Sequence, residues 1–118
     1  QLYGELLPAN DPFFTDDYQA KAVHQHRLAM KYEYRAILPG TGKTLAVLSS
    51  NVHAASFGKA FDIRVGAMRA NTGCLGFGLE RLAIAIVGQH GLDPEAWPAG
   101  LRQDWMMWRA ADALLAPA

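Results

Sequence analysis

The segment Thr72-Gly73-Cys74-Leu75-Gly76-Phe77-Gly78-Leu79-Glu80-Arg81 constrains this chain more than any other. Its first half sets glycines among apolar residues, and its second half runs into LERLAIAIVGQH, a stretch of strong helix formers. Leu79, Leu82, Ala83, Ile86 and Val87 share one helical face, so a strand is expected to pass almost directly into a helix. Glycine weakens a strand and is kept there where a ligand or another backbone comes close. Gly76 and Gly78 therefore predict a flat shelf on one side of the strand. Arg81 falls in the first turn of the helix, where the helix dipole does not favour a cation. A planar guanidinium at that point is suited to lie over a base or to meet a phosphate. The same pattern also describes a packed junction with a surface Arg–Glu pair, and local spacing leaves both readings open.

The rest of the chain supplies the setting. Lys31 to Leu38 (KYEYRAIL) alternates Tyr32, Tyr34 and Ala36 against Glu33, Arg35 and Ile37, as a strand with one wetter face would. Thr44 to Ser50 reads as a second strand, and so short a connection requires antiparallel pairing. Residues 51–62 look irregular, a short strand is expected around Ile63 to Val65, and another from Asn71 to Phe77. Residues 1–17 read as an ordered loop around Phe13 and Phe14, and Asp17 to Met30 as a modest amphipathic helix capped by Asp16 or Asp17. Gly91 ends the helix that begins at Leu79, and a final helix is expected over 101–115. The order predicts an α+β fold, an antiparallel sheet flanked by helices.

Composition narrows the function. With 118 residues the chain makes one domain at most, and with 51% apolar and 19% charged residues it is globular. Lys plus Arg and Asp plus Glu number eleven each, which argues against an electrostatically driven nucleic-acid binder. One cysteine, Cys74, excludes an internal disulfide and fits a reducing, cytoplasmic setting. No apolar run is long enough for a membrane span and no signal peptide is visible. A start at Gln1 rather than Met is expected of a processed product or of a piece of something longer.

Several other residues carry weaker signals. Pro39-Gly40-Thr41-Gly42-Lys43-Thr44 imitates the end of a phosphate-binding P-loop, but Ile37 stands where that loop needs its first glycine. A hairpin turn is the expected structure, and a P-loop hydrolase, which would need Lys43, is disfavoured. His24 and His26 are two apart and would face different ways on a helix, as surface residues do. His53 is expected to be structural rather than catalytic, and His90 to cap a helix C-terminus. Trp97, Trp105 and Trp108 are expected to cover a sheet edge or a partner surface. Cys74 on its own would be a small buried apolar residue.

GFGLERLAIAI resembles motif 3 of the class II aminoacyl-tRNA synthetases. NDPFF (10–14), LAMKYEY (28–34), SSNVHAASFGKAFDI (49–63), TGCLGFGLER (72–81) and QHGLDPEAWP (89–98) together resemble the seryl-tRNA-synthetase-like amino acid:carrier-protein ligases over most of the chain. The resemblance implies the second half of a class II catalytic domain, with 1–118 a single, partial domain. It implies ATP-dependent activation of a small amino acid, glycine- or alanine-like, and its transfer to the phosphopantetheine thiol of an acyl carrier protein. ATP, Mg2+ and Zn2+ are the implied cofactors; the full-length enzyme is expected to be a homodimer, with no tRNA or membrane partner. Residue by residue, Arg81 matches the arginine that packs on adenine and reaches the phosphates, and Gly76 and Gly78 the shelf beneath the nucleotide. Ser50 and Asn51 match the Ser-Asn beside ATP, Lys31 and Glu33 a strand near the substrate pocket, and Cys74 a zinc ligand that grips the substrate amine. Two departures stand out: Thr44 to Ser50 has no metal-binding glutamate, and nothing in residues 1–30 matches motif 1, motif 2 or the other zinc ligands. The alternative is a non-catalytic binding module derived from a truncated paralogue.

Overall fold

The structure is a computed structural model and describes residues 1–11, 17, 19–20, 22–23 and 28–115. Phe13, Phe14, Asp16, His24 and His26 lie outside the described residues, as does much of the helix expected over 17–30, of which residues 19, 20, 22 and 23 are helical.

The chain forms β1 (Gly4–Pro8), β2 (Lys31–Leu38), β3 (Lys43–Ala54), a short helix α1 (Ser56–Ala60), β4 (Arg64–Val65), β5 (Met68–Arg69), β6 (Thr72–Phe77), α2 (Leu79–His90), a 3-10 turn (Pro94–Ala96) and α3 (Ala99–Leu115). Strands β1, β2, β3 and β6 make a four-stranded sheet in that order, each pair antiparallel, and β4 pairs with β5. This is the expected α+β architecture.

Three local expectations differ from the structure. The N-terminal segment contains an edge strand, β1, registered on β2 from Gly4↔Ala36 to Pro8↔Tyr32. Its proline obscures the strand in the sequence, and an edge is where a strand tolerates one. It is tied down by Gln89 of α2, which accepts from Tyr3 N–H and donates to the carbonyls of Tyr3 and Ile37 (2.7–2.8 Å). Second, β3 continues through residues expected to be irregular, stopping at Ala54, whose φ of 47° breaks the extended run before α1. Third, the buried face of α2 is rotated from the one expected: Ala85 is fully buried and Leu82 packs on the core, whereas Leu79 and Ala83 are exposed.

The core is small and sits between α2 and one face of the sheet, where Ala36, Val47 and Ala85 meet Leu2, Tyr34, Leu45 and Leu82. Val47 enters it through a bulge: Tyr34 is opposite Leu48 and Arg35 is opposite Ala46, so Val47 is the extra residue on β3. The bulge also presents two successive carbonyls to the β6–α2 junction. Val47 O accepts from Gly78 N–H (3.0 Å) and Ala46 O accepts from Arg81 Nη1 (3.2 Å). No helix among the described residues is long and apolar enough to cross a membrane.

Candidate functional site

Side chains on successive strand residues point to opposite sides, so a sheet with one helix-covered face offers its other face for binding. Here α2 takes the side of Tyr34 and Ala36. On the other side, register places Lys31 beside Asn51, Glu33 beside Ser49, Asn51 beside Cys74 and Ser49 beside Gly76. Polar residues of three strands thus form one continuous surface.

At one end of this surface lies a cleft of about 250 Å³ lined by Glu33, Ser49, Gly76, Gly78 and Arg81 together with residues 46–48 of the bulge. The two glycines are there for space rather than for backbone conformation. A Cβ at Gly76 would lie 3.2 Å from Ser49 Oγ, and one at Gly78 would lie 3.1 Å from Arg81 Cδ. The volume lies just below the usual range for small-molecule pockets, roughly 300–1,000 Å³. Arg81 is exposed and held over the shelf by its bond to Ala46 O.

The acidic and basic residues of β2 form a ladder beside the cleft. Glu33 pairs with Arg35 Nη1 (2.8 Å) and stands 3.6 Å from the Lys31 ammonium, which is also bound to Asp11. Lys31 is only 9% exposed, so its charge is desolvated and needs these carboxylates. Glu33 falls in the cleft with the glycine shelf; Lys31 does not line it. Arg35 went unmarked in the sequence, where its alternation with Glu33 was the only signal; its Nε donates to Thr44 Oγ1 (3.0 Å).

The other end of the surface holds Cys74. Its thiol is exposed, not buried as an isolated cysteine would be expected to be. Asn51 Nδ2 reaches both Ser49 Oγ (3.4 Å) and Cys74 Sγ (3.7 Å), linking the cleft to the thiol. Asn51 Oδ1 is buried with no partner, an acceptor whose desolvation typically costs about 1–3 kcal/mol until a donor meets it. His53 Nε2 stands 3.5 Å from Cys74 Sγ and its Nδ1 3.3 Å from Thr72 Oγ1, with the Phe57 ring packed 4.3 Å away centre to centre.

Ser50 does not line this cleft, but it borders a second hollow with Asn51 and Cys74. It is in register with Tyr32 and Leu75, and its neighbour Ser49 takes the place in the cleft. A one-residue difference in strand phase exchanges the two sides of a sheet, and the bulge at Val47 makes that phase hard to read from sequence. Outside the surface, Trp105 stacks on Trp108 (5.3 Å between centroids) and meets Trp97 edge-on (5.9 Å). His90 Nε2 lies 3.0 Å from Gln1 O, the structural role expected of it. The Gly-Thr-Gly-Lys segment is a turn joining two antiparallel strands, closed by Thr41 Oγ1 donating to Leu38 O, and so has no helix N-terminus to cradle a phosphate. Among the described residues no three His, Cys, Asp or Glu side chains gather where they could hold a metal ion.

No family model matches the chain. It is 40% identical over 95 residues to amino acid–acyl-carrier-protein ligase 1 of Bradyrhizobium diazoefficiens, which takes in 80% of this chain and 29% of that protein. Ligase 2 of the same organism is 39% identical over 95 residues, covering 80% of this chain and 28% of its own length. A type-2 serine–tRNA ligase of Methanothermobacter thermautotrophicus is 35% identical over 94 residues, 75% of this chain and 18% of that enzyme. The chain spans less than a third of the length of these curated relatives. With this degree of identity to both groups, it belongs, as a portion, to the seryl-tRNA-synthetase-like amino acid–carrier-protein ligases.

Proposed function

We propose that this chain is the nucleotide-and-amine half of an ATP-dependent amino acid–carrier-protein ligase, equivalent to the second half of a class II catalytic domain. The observation that carries the reading is that one open sheet face joins a side-chain-free shelf under Arg81 to Asn51 and Cys74. Arg81 and Gly76 and Gly78 would hold the adenine and reach the phosphates, with Ser49 and Asn51 alongside. Glu33 and Lys31 would border the substrate end.

In this reading the amino-acid carboxylate attacks the α-phosphorus of ATP in line, its oxygen bonding to phosphorus as the bond to pyrophosphate breaks. The thiol of a carrier protein's phosphopantetheine then attacks the activated carbonyl; its sulfur bonds to carbon, its proton is released and AMP leaves. Such chemistry asks for positioning and charge stabilisation more than for acid–base catalysis. Arg81 is placed for both. The buried, unpartnered Asn51 Oδ1 suits an amine N–H donor, and a small amino acid, glycine- or alanine-like, is the substrate that the resemblance implies.

Toward the zinc that the resemblance implies, the described residues offer one donor, the exposed Cys74 thiol, since a thiolate is a good zinc ligand. Bound there, the metal would supply a Lewis acid for the substrate amine, while Asn51 orients that amine. Mg2+ would accompany ATP; Glu33 is the carboxylate lining the cleft, where β3 offers none from Thr44 to Ser50. We place the full-length enzyme in the cytoplasm as a homodimer acting on an acyl carrier protein and not on tRNA.

The test is amino-acid-dependent exchange of pyrophosphate into ATP by the full-length protein, followed by transfer of labelled amino acid to a phosphopantetheinylated carrier protein. Exchange with glycine or alanine and thioester formation on the carrier are expected. Absence of exchange with every small amino acid would overturn the reading.

A further inference from the structure

We propose that Arg35 is a positioning residue: anchored on Thr44, it fixes the Glu33 carboxylate in the cleft, so that Glu33 meets the bound nucleotide in one geometry. The inference deepens the function proposed above and rests on its placing MgATP against the glycine shelf. Glu33 and Arg81 are the charged residues that line the cleft among the described residues, and Arg35 holds Glu33 without lining it. An ordinary surface ion pair contributes little, and three observations set this one apart.

First, two nitrogens of Arg35 are engaged at once. Nη1 donates to Glu33 Oε2 (2.8 Å), and Nε donates to Thr44 Oγ1 (3.0 Å) on the neighbouring strand. A guanidinium is planar and rigid, so bonds to partners on two strands fix its plane and, through it, the carboxylate. Second, the carboxylate is held from both sides. Lys31 Nζ stands 3.6 Å from Oε1 while Arg35 takes Oε2, and with its side chain 19% exposed Glu33 is oriented by these cations more than by water. An ionised carboxylate has roughly four acceptor positions, so some stay open for the nucleotide or for the magnesium that comes with it. Third, the bulge ties Arg35 to the other charge of the cleft. Alternation along β2 keeps Glu33 and Arg35 on one side, and the register shift after Tyr34 sets Arg35 opposite Ala46, whose carbonyl accepts from Arg81 Nη1 (3.2 Å). One irregularity of the sheet thus places the anchor of the carboxylate beside the anchor of the guanidinium.

The experiment is a double-mutant cycle on the full-length protein: wild type, Arg35→Ala, Glu33→Gln and the two combined, with Arg35→Lys and Thr44→Val alongside. Pyrophosphate exchange gives separate KM values for MgATP and for the amino acid. Calorimetry gives the MgATP affinity without turnover, and thermal melting checks folding. Arg35→Ala is expected to raise the KM and Kd for MgATP about fivefold or more, as for coupled groups in contact. The amino-acid KM should not move, and the thermal midpoint should stay near wild type because Glu33 keeps Lys31 as a partner. In the Glu33→Gln background the same substitution should change the MgATP values by less than about twofold, since the carboxylate it acts on is gone. Arg35→Lys should recover part of the loss, because an ammonium keeps the charge but not the two-pronged hold. Thr44→Val removes the anchor and leaves the guanidinium, so it should raise the MgATP KM in the same direction, and it carries the test if Arg35→Ala does not fold. Equal effects of Arg35→Ala with and without the Glu33 carboxylate overturn the positioning role. So does an unchanged MgATP KM, or a loss confined to kcat that follows a lowered thermal midpoint. Wild-type protein that binds MgATP but exchanges no pyrophosphate sinks the ligase reading alone, and the binding cycle then decides on Arg35; wild type that binds no MgATP overturns both.

Discussion

Two glycine-rich segments of this chain end on a cation, and they use glycine for opposite reasons. In the hairpin between β2 and β3, Gly40 and Gly42 have φ of 75° and 65°, and a Cβ at either would meet nothing within 4 Å. Those glycines supply a backbone conformation, and Lys43 begins a strand. In the β6–α2 junction, Gly76 and Gly78 have no positive φ, yet a Cβ on either would press on Ser49 or Arg81. Those glycines supply space, and Arg81 closes over it. A turn glycine supplies a left-handed backbone, whereas a shelf glycine keeps a Cβ off the neighbouring Ser49 and Arg81 side chains.

The largest effect that would sharpen this contrast is on the junction's cation. Arg81→Ala removes the one guanidinium that lines the cleft among the described residues, and the loss of a preorganised charged contact to a reacting phosphate is typically about 100- to 1,000-fold in rate. Pyrophosphate exchange by the full-length variant should fall by that order while its thermal midpoint stays near wild type, because the residue is exposed and makes one bond to Ala46. Arg81→Lys should recover little, since an ammonium neither stacks on a base nor forks to two oxygens as a guanidinium does.

Next comes Gly76→Ala. The new methyl would stand 3.2 Å from Ser49 Oγ, which the cleft can absorb by a few tenths of an ångström, so the fold should survive. The shelf should not. We expect the ATP KM measured by exchange to rise about tenfold or more, a 1.4 kcal/mol loss of binding. An unchanged KM would mean that no ligand lies against Gly76, and the contrast between the two segments would disappear.

How far these distinctions were legible in the sequence follows the same physics. The period-two pattern of Lys31 to Leu38 and the helix formers of Leu79 to His90 gave β2 and α2 to the residue, since both signals are local. The incomplete P-loop spacing identified a turn. What sequence alone could not read depends on register. The bulge at Val47 shifts β3 by one residue, so Ser49 and not Ser50 faces the cleft and Glu33 joins the shelf residues. The nearness of His53 to Cys74 depends on pairing across 21 residues of chain, which no periodicity within either strand records. Strand β1 was missed because its side chains carry little pattern: its residues are largely exposed, and its place is set by backbone pairing and the Gln89 clamp.

In the hairpin the expected signs reverse. Gly40→Ala forces an L-residue into the left-handed region, at a cost of about 1–2 kcal/mol. The thermal midpoint of the full-length protein should therefore drop by several degrees, with the ATP KM unchanged at a temperature where the variant is folded. A raised KM with no loss of stability would show that this turn touches the nucleotide after all.

The smallest expected effect is also the one that most directly separates the two cations. Lys43 is exposed, its backbone N–H donates to Thr41 Oγ1 (3.0 Å), and its neighbours across the hairpin are the last residues of β2. Nothing about that bond depends on the ammonium. Lys43→Ala should leave stability within about 0.5 kcal/mol, the usual range for a surface substitution away from special features. Exchange rate and ATP KM should both stay at wild-type values. In a P-loop the same lysine would reach the terminal phosphates, and its loss would cost orders of magnitude. Parallel titrations of Lys43→Ala and Arg81→Ala with ATP therefore ask which of two glycine-flanked cations meets the triphosphate, and a strand on both sides of Lys43 leaves it no anion-binding helix terminus with which to do so.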